Sequence, residues 1–253
     1  MQGLELLVDF HRQGLRQGPG DDTITQKALA FLDLDTKQKL SIADIGCGTG
    51  AQTMCLAGLA NANITAIDLF PEFLQELETR AKEQKPNGVV QTVQASMEDL
   101  PFPQEQFDVM WSEGAIYIMG FEKGIKAWRE YLKPKGYLAV TEISWLTSSR
   151  PKELNEYWQS QYPEISAISE KVQILERHGY SPIATFQLPE SCWLDKYYLP
   201  MQKRMDSFLQ KHRYSPEARE LVENEMEEIQ LYNTYKQYYG YVFYIAQKIF
   251  TVR

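Results

Sequence analysis

The stretch Ser41-Ile42-Ala43-Asp44-Ile45-Gly46-Cys47-Gly48-Thr49-Gly50 constrains this chain more than any other. Its apolar residues Ile42, Ala43 and Ile45 read as a buried strand. The glycines at 46, 48 and 50 let the backbone turn sharply and let a ligand come close to the main chain. Helix-compatible residues follow over 51–60. A second run, Ile64-Thr65-Ala66-Ile67, ends on Asp68, about 20 residues past the turn. Strand, glycine turn, helix and a strand tipped by a carboxylate form the opening unit of a mostly parallel α/β sheet. In such a sheet the turn cradles a nucleoside and the acid faces its ribose.

The pattern alone leaves the nucleoside open, because Gly46-x-Gly48-x-x-Ala51 also satisfies the dinucleotide fingerprint. Two features separate the readings. Asp44 ends the strand just before the turn, so a pyrophosphate there would meet negative charge, whereas a sulphonium and an ammonium would be favoured. The fingerprint also follows a helical N-terminal segment, whereas dinucleotide folds more often begin on that strand.

The run D-I-G-C-G-T-G followed by I-D resembles the class I S-adenosylmethionine-dependent methyltransferases, as does L-K-P-K-G-Y-L-A-V from Leu132. The stretches W-S-E-G-A-I-Y from Trp111 and C-W-L-D-K-Y-Y from Cys192 resemble the small-molecule, ubiquinone-biosynthesis-like group more closely, in a Bacteroides-type branch. The resemblance covers nearly the whole length. It implies a Rossmann-like seven-stranded, mostly parallel sheet with helices on both faces and an antiparallel last strand. It implies one domain over 1–253, with an N-terminal helical cap over 1–35 and a helical insert over 189–236. It also implies S-adenosyl-L-methionine as cofactor and S-adenosyl-L-homocysteine as product. The family's adenine-edge loop often carries an aspartate where this chain has Ser96, whose hydroxyl can still hydrogen-bond an adenine amino group.

Within that frame the expected cofactor-binding residues are Asp44, Gly46, Gly48, Gly50, Asp68, Leu69, Ser96, Met97 and Ser112. Ser112 and Glu113 leave the carboxyl end of a strand over 107–111, so they are placed toward the transferable group. Glu113 and Tyr117 are the candidate catalytic residues, Glu113 taking an acceptor proton or holding an ammonium. Glu113, Tyr117, Trp145, Trp193 and Tyr197 are the candidate walls of an acceptor pocket. A strand over 137–142 would bring Glu142, Ser144 and Trp145 to the same rim. Gly18-Pro19-Gly20 reads as a turn or as a flap that brings Arg16 and Gln17 to the methionine end. The acidic run Glu223 to Glu228 reads as a solvated face. His178 reads as a helix-end partner of the dipole.

Helices are expected over 1–17, 72–84, 121–131, 151–162, 165–178, 199–211 and 217–235, with strands over 89–95, 183–188 and 238–249. The 189–236 insert reads either as a lid over the acceptor or as the interface of a homodimer. With a formal net charge of −8 and a pI near 5.1, the chain offers no basic excess for a nucleic-acid backbone. Its apolar runs are too short for a membrane span, and its N-terminus lacks the features of a signal peptide. Cys47, Cys55 and Cys192 have no zinc-like spacing and read as free thiols of a cytoplasmic protein. Methyl transfer from a sulphonium needs alignment more than acid–base chemistry, so neither a metal nor a nucleophilic triad is expected. A non-catalytic S-adenosylmethionine-binding or regulatory protein would carry the same cofactor motif. An NAD-dependent oxidoreductase is the remaining alternative.

Overall fold

A computed structural model describes residues 2–34, 38–59 and 61–249; Met1, residue 35 and Ala60, the ends of three expected segments, lie outside them. One sheet organises the chain. Its strands are β1 (Leu40–Ile45), β2 (Ala62–Asp68), β3 (Val89–Gln94), β4 (Phe107–Ser112), β5 (Leu132–Trp145), β6 (Ser166–Ala167), β7 (Tyr180–Gln187) and β8 (Tyr239–Lys248). The order is β3-β2-β1-β4-β5-β8-β7, with the two-residue β6 paired to the end of β5. The run from β3 to β5 is parallel, and β8 is antiparallel to both β5 and β7. The sheet therefore has the expected Rossmann-like form, with β6 as an extra short strand.

Side-chain alternation builds two core layers. Ile42, Val109, Trp111, Phe243 and Ile245 face one way, toward Phe10, Leu56 and the helices after β7. Ala43, Ile45, Met110, Val242 and Tyr244 face the other way, toward Phe121, Ile125, Trp128 and Leu175. Central strands buried on both faces are what a sheet covered by helices on both sides requires. The edge strands β3 and β7 alternate between partly buried and exposed residues instead.

The helices are α1 (Gln2–Arg12), α2 (Asp22–Leu29), α3 (Ala51–Leu59), α4 (Pro71–Gln84), α5 (Phe121–Trp128), α6 (Lys152–Gln161) and α7 (Ile168–Arg177). Three more, α8 (Glu190–Trp193), α9 (Leu199–Lys211) and α10 (Pro216–Tyr235), lie between β7 and β8. Local chemistry sets their ends. Asp21 caps α2 by accepting from the Thr23 N–H at 2.9 Å. Pro71 and Pro216 occupy the first turns of α4 and α10, where no N–H partner is lost. A π-helical turn, Leu194–Tyr198, joins α8 to α9. The extra residue of such a turn shifts the helix register, and both Tyr197 and Tyr198 are buried.

Three expectations change. β5 starts at Leu132 and runs to Trp145, because the segment around Lys135 (φ +62°) is a bulge inside the strand. Glu142 and Ser144 are therefore interior strand residues and not rim residues. α1 ends at Arg12, short of the expected helix over 1–17. α7 starts only at Ile168, after β6. Among the described residues, no helix is long and apolar enough to cross a membrane.

Candidate active site

The glycine turn lies at the carboxyl end of β1, beside β4, where the strand order reverses and open sheets bind ligands. Gly46 and Gly48 have φ of +68° and +54°. A Cβ on Gly46 would sit 2.3 Å from the Ala115 Cβ, so both conformation and space require glycine there. The Gly48 N–H donates to Asp68 Oδ2 at 2.9 Å, and the Phe70 N–H donates to Oδ1 at 3.0 Å. Asp68 is thus clasped at the tip of β2, and each oxygen keeps a lone pair for a ligand. Burial pushes its carboxyl up from the usual range.

Asp68 opens onto a cavity of about 640 Å³. Gly46, Gly48, Asp68, Leu69, Ser96 and Met97 line one side of it. The Met97 loop is held from behind by Trp128, whose indole N–H donates to the Met97 carbonyl at 3.0 Å. The Ser96 hydroxyl accepts from the Glu98 N–H at 3.2 Å and still has its proton to donate. Two carboxylate-bound hydroxyls and an adenine edge are interactions this side can make. The residues present therefore fit an adenine nucleoside.

Three expected cofactor residues lie elsewhere. Gly50 (φ +86°) faces α4, where a Cβ would meet Leu77 at 2.2 Å. Ser112 is fully buried and donates to the Ile45 carbonyl at 2.9 Å, tying β4 to β1. Asp44 has no exposed surface and is not part of the cavity wall. It accepts from Thr53 at 2.5 Å and from Gln52 at 3.3 Å, because the first turn of α3 folds back over it. Burial raises its pKa to about 7. The negative mouth read from Asp44 is therefore supplied by other groups.

Asp44 also gives an unusual pH dependence. Its folded pKa lies above its unfolded value, so between about pH 4 and 7 the native state holds the extra proton. This contribution to stability is full below pH 4 and is lost as pH rises through 7. Asp44→Asn is expected to gain on the wild type by about 1–3 kcal/mol between pH 4 and 7.5 in urea melts. One pKa unit is worth about 1.4 kcal/mol, and part is offset because the amide cannot accept from both Thr53 and Gln52.

The other side of the cavity is built by segments distant in sequence. Gln17 accepts from the Thr49 N–H at 2.8 Å, and its amide donates to Thr49 Oγ1 at 3.0 Å, so the segment after α1 is pinned onto the glycine turn. Gly18 and Pro19 line the cavity beside it. Arg16 has a side chain 6% exposed and donates to Glu113 at 3.1 Å and to Asp22 at 2.7 Å. Glu113 lines the cavity, but Thr25 (2.7 Å) and the Trp111 indole (3.0 Å) donate to its second oxygen. It is a fully engaged carboxylate holding a buried guanidinium, and not the free base that its position at the end of β4 suggested. Glu113→Gln is expected to lower thermal stability by about 1–3 kcal/mol through the half-paired Arg16. Donor affinity should fall with it in calorimetry.

Tyr117 and Tyr197 do line the cavity, whereas Trp145 and Trp193 do not. Trp193 stacks on Tyr232 at 4.3 Å and on Tyr241 at 5.0 Å, in the core between the insert and the sheet. Trp145 packs against Tyr239 and under Arg150. Among the lining residues to which the sequence reading gave no site role are Val8 and His11 on α1, and Glu225 and Glu228 on α10. Those two acids sit one turn before the buried Ile229 and Tyr232. That i, i+4 relation is the signal that would have separated them from their exposed neighbours Glu223 and Glu227. Among the described residues, no His, Cys, Asp or Glu group is placed to hold a metal ion. The cysteines at 47, 55 and 192 are free thiols.

Residues 43–140 match a family model described as a methyltransferase domain. The chain is 24% identical to the O-methyltransferase cnsE of Penicillium expansum, over 62% of this chain and 58% of that protein. It is 28% identical to a malonyl-[acyl-carrier protein] O-methyltransferase of Pseudescherichia vulneris, over 52% of this chain and 49% of that protein. The chain thus spans about half the length of these curated relatives. A structure of a S-adenosylmethionine-dependent methyltransferase from Geobacter sulfurreducens, solved with S-adenosyl-L-homocysteine, superposes with a TM-score of 0.81. The alignment covers 97% of both chains at 18% identity, a likeness of fold.

Proposed function

We propose that this chain is a class I S-adenosylmethionine-dependent methyltransferase that methylates a small-molecule acceptor, a reading its matched domain and its fold support. The observation that carries this reading is the Asp68 clasp. A carboxylate fixed by two backbone N–H groups opens into a cavity that continues past the glycine turn to a second wall of different chemistry. In this reading Asp68 holds the ribose hydroxyls of S-adenosylmethionine, Leu69 and Met97 flank the adenine, and Ser96 meets its edge. Gly46 and Gly48 allow the close backbone approach. Arg16, ordered by Glu113, stands where the donor's carboxylate end would lie.

S-adenosylmethionine supplies an already activated methyl group. The chain's part is alignment and exclusion of water, and alignment alone contributes on the order of 7–11 kcal/mol. The α1 segment and the helices after β7 form the covering wall, which fits the lid reading of the 189–236 insert. Tyr117 and Tyr197 face the acceptor in this scheme. The acidic composition fits a cytoplasmic enzyme without a nucleic-acid partner, and a homodimer built on the same helices is tested by sedimentation.

Transfer of tritium from methyl-labelled S-adenosylmethionine to members of a metabolite panel tests the reading. Labelled product, lost with the donor-side substitution Asp68→Ala, is the expected result. Tight donor binding without turnover across the panel would instead favour a binding or regulatory protein.

A further inference from the structure

The acceptor wall differs in charge from what a neutral or anionic acceptor needs. Among the described residues lining the cavity, five are carboxylates (Asp68, Glu98, Glu113, Glu225 and Glu228) and one is a guanidinium. That guanidinium, Arg16, is already paired with Glu113 and Asp22. Glu98 is paired with Lys123. Two acids remain on α10 with no lysine or arginine in hydrogen-bond contact among the described residues. Arg204, whose charge acts on Glu225, is not part of the cavity lining and donates to the Phe10 carbonyl.

Glu228 accepts a hydrogen bond from the Tyr198 hydroxyl at 2.8 Å. Burial, and then the neighbouring Glu225, raise its carboxyl above the ordinary range. Glu225 Oε1 lies 3.3 Å from His11 Nε2, while its Oε2 is buried with no partner. His11 is 8% exposed, and its Nδ1 is also buried without a partner. With Nε2–H donating to Glu225, Nδ1 is left as an acceptor, an assignment that follows from the hydrogen-bond network. A buried acceptor that nothing in the protein satisfies is unfavourable unless a ligand fills it. The two residues that carry these buried atoms, His11 and Glu225, line the cavity together with the second carboxylate, Glu228. Tyr117 and Tyr197 line the same cavity, and aromatic faces attract cations.

The geometry points to an acceptor that binds as a protonated amine, its nitrogen held by Glu225, Glu228 and His11 against Tyr117 and Tyr197. This rests on the methyltransferase reading above and names the class of its acceptor. A turn of the Glu225 carboxyl and the His11 ring would bring the orphaned Oε2 and Nδ1 to the ammonium, and its apolar body would meet Leu4, Leu7 and Val8 of α1. For transfer, the ammonium first releases one proton to the His11–Glu225 pair, from which it passes to water. The freed nitrogen lone pair then forms the N–C bond to the donor methyl. The C–S bond breaks with its electrons left on sulphur, so the positive charge moves from sulphur to the methylated nitrogen. The acceptor's original charge leaves with the proton, and the sulphonium's charge stays in the acidic cavity on the methylated amine, so substrate and product are both cations there.

The test uses methylammonium and benzylammonium, titrated into the protein saturated with S-adenosyl-L-homocysteine so that no methyl group is available for transfer. Ethylbenzene, the uncharged isostere of benzylammonium, and benzoate serve as comparisons. Saturable binding of a cation is expected, with the neutral and anionic compounds at least tenfold weaker. Glu225→Gln and Glu228→Gln should each weaken the cation about tenfold while leaving homocysteine-nucleoside affinity unchanged. That retained affinity reports a folded variant. Equal binding of cation and isostere, preference for benzoate, no cation binding at millimolar concentration, or indifference to both substitutions would overturn the proposal. Failure of the nucleoside itself to bind would count against the methyltransferase reading.

Discussion

Lys171→Met is expected to destabilise the protein by about 3–5 kcal/mol, the range for leaving one member of a buried ion pair alone. Lys171 on α7 and Glu142 on β5 have side chains 1% and 0% exposed, with Nζ 2.8 Å from Oε1. The Tyr162 hydroxyl donates to the same oxygen at 2.7 Å, and Oε2 has no partner. Phe121 and Tyr162 rings flank the ammonium. Removing the lysine strands a carboxylate that has no exposed surface. Burial already raises the Glu142 pKa, and loss of Lys171 raises it further. The raised acid stabilises the variant at low pH and loses that contribution as pH rises through its folded pKa. The deficit should therefore shrink on acidification. The double variant Lys171→Met with Glu142→Leu should recover most of it in urea melts, because well-packed apolar replacements of buried pairs are often neutral. A single variant as stable as the wild type at pH 8 would show that the pair carries no such role.

The largest expected functional effect belongs to Asp68. On the proposed reading, Asp68→Ala removes two charge-assisted hydrogen bonds to the ribose, each worth about 1.5–3 kcal/mol. We expect S-adenosyl-L-homocysteine affinity to fall by about 10- to 100-fold, the upper end being limited by water that enters in place of the carboxylate. The same change leaves the Gly48 and Phe70 N–H groups without their acceptor, so a modest drop in Tm should accompany it. Asp68→Asn separates the two effects. Its amide oxygen can still accept from one N–H and restores part of the stability, but it carries no charge to the hydroxyls. Unchanged affinity in the alanine variant would remove Asp68 from the site.

What local patterning shows in a sequence is what one segment dictates by itself. Ile42 to Gly50 and Ile64 to Asp68 placed two parallel strands, a positive-φ turn and the carboxylate at the tip of β2, because these depend on neighbours in the chain. The alternation around Phe243 likewise marked β8. Residues whose environment comes from remote segments were misplaced. Asp44 looked like a charged mouth, but Gln52 and Thr53 close over it. Glu113 looked like a free base, but Arg16 and Thr25 arrive from the N-terminal segment to engage it. Trp145 and Trp193 were indistinguishable from pocket walls, since an aromatic residue suits a core and a ligand site equally. Glu225 and Glu228 lay in an acidic run; their i, i+4 relation to Ile229 and Tyr232 marks the face they share, but that this face meets α1 is decided by the fold. His11 faces Glu225 across that same contact.

The central claim is that the cavity above β1 and β2 takes a sulphur nucleoside. Titration of the purified protein with S-adenosyl-L-methionine, S-adenosyl-L-homocysteine and NAD, followed by calorimetry, addresses it most directly. One-to-one binding of the two sulphur nucleosides with no heat from NAD is the expected result. Uptake of NAD by a protein indifferent to both sulphur nucleosides would contradict it.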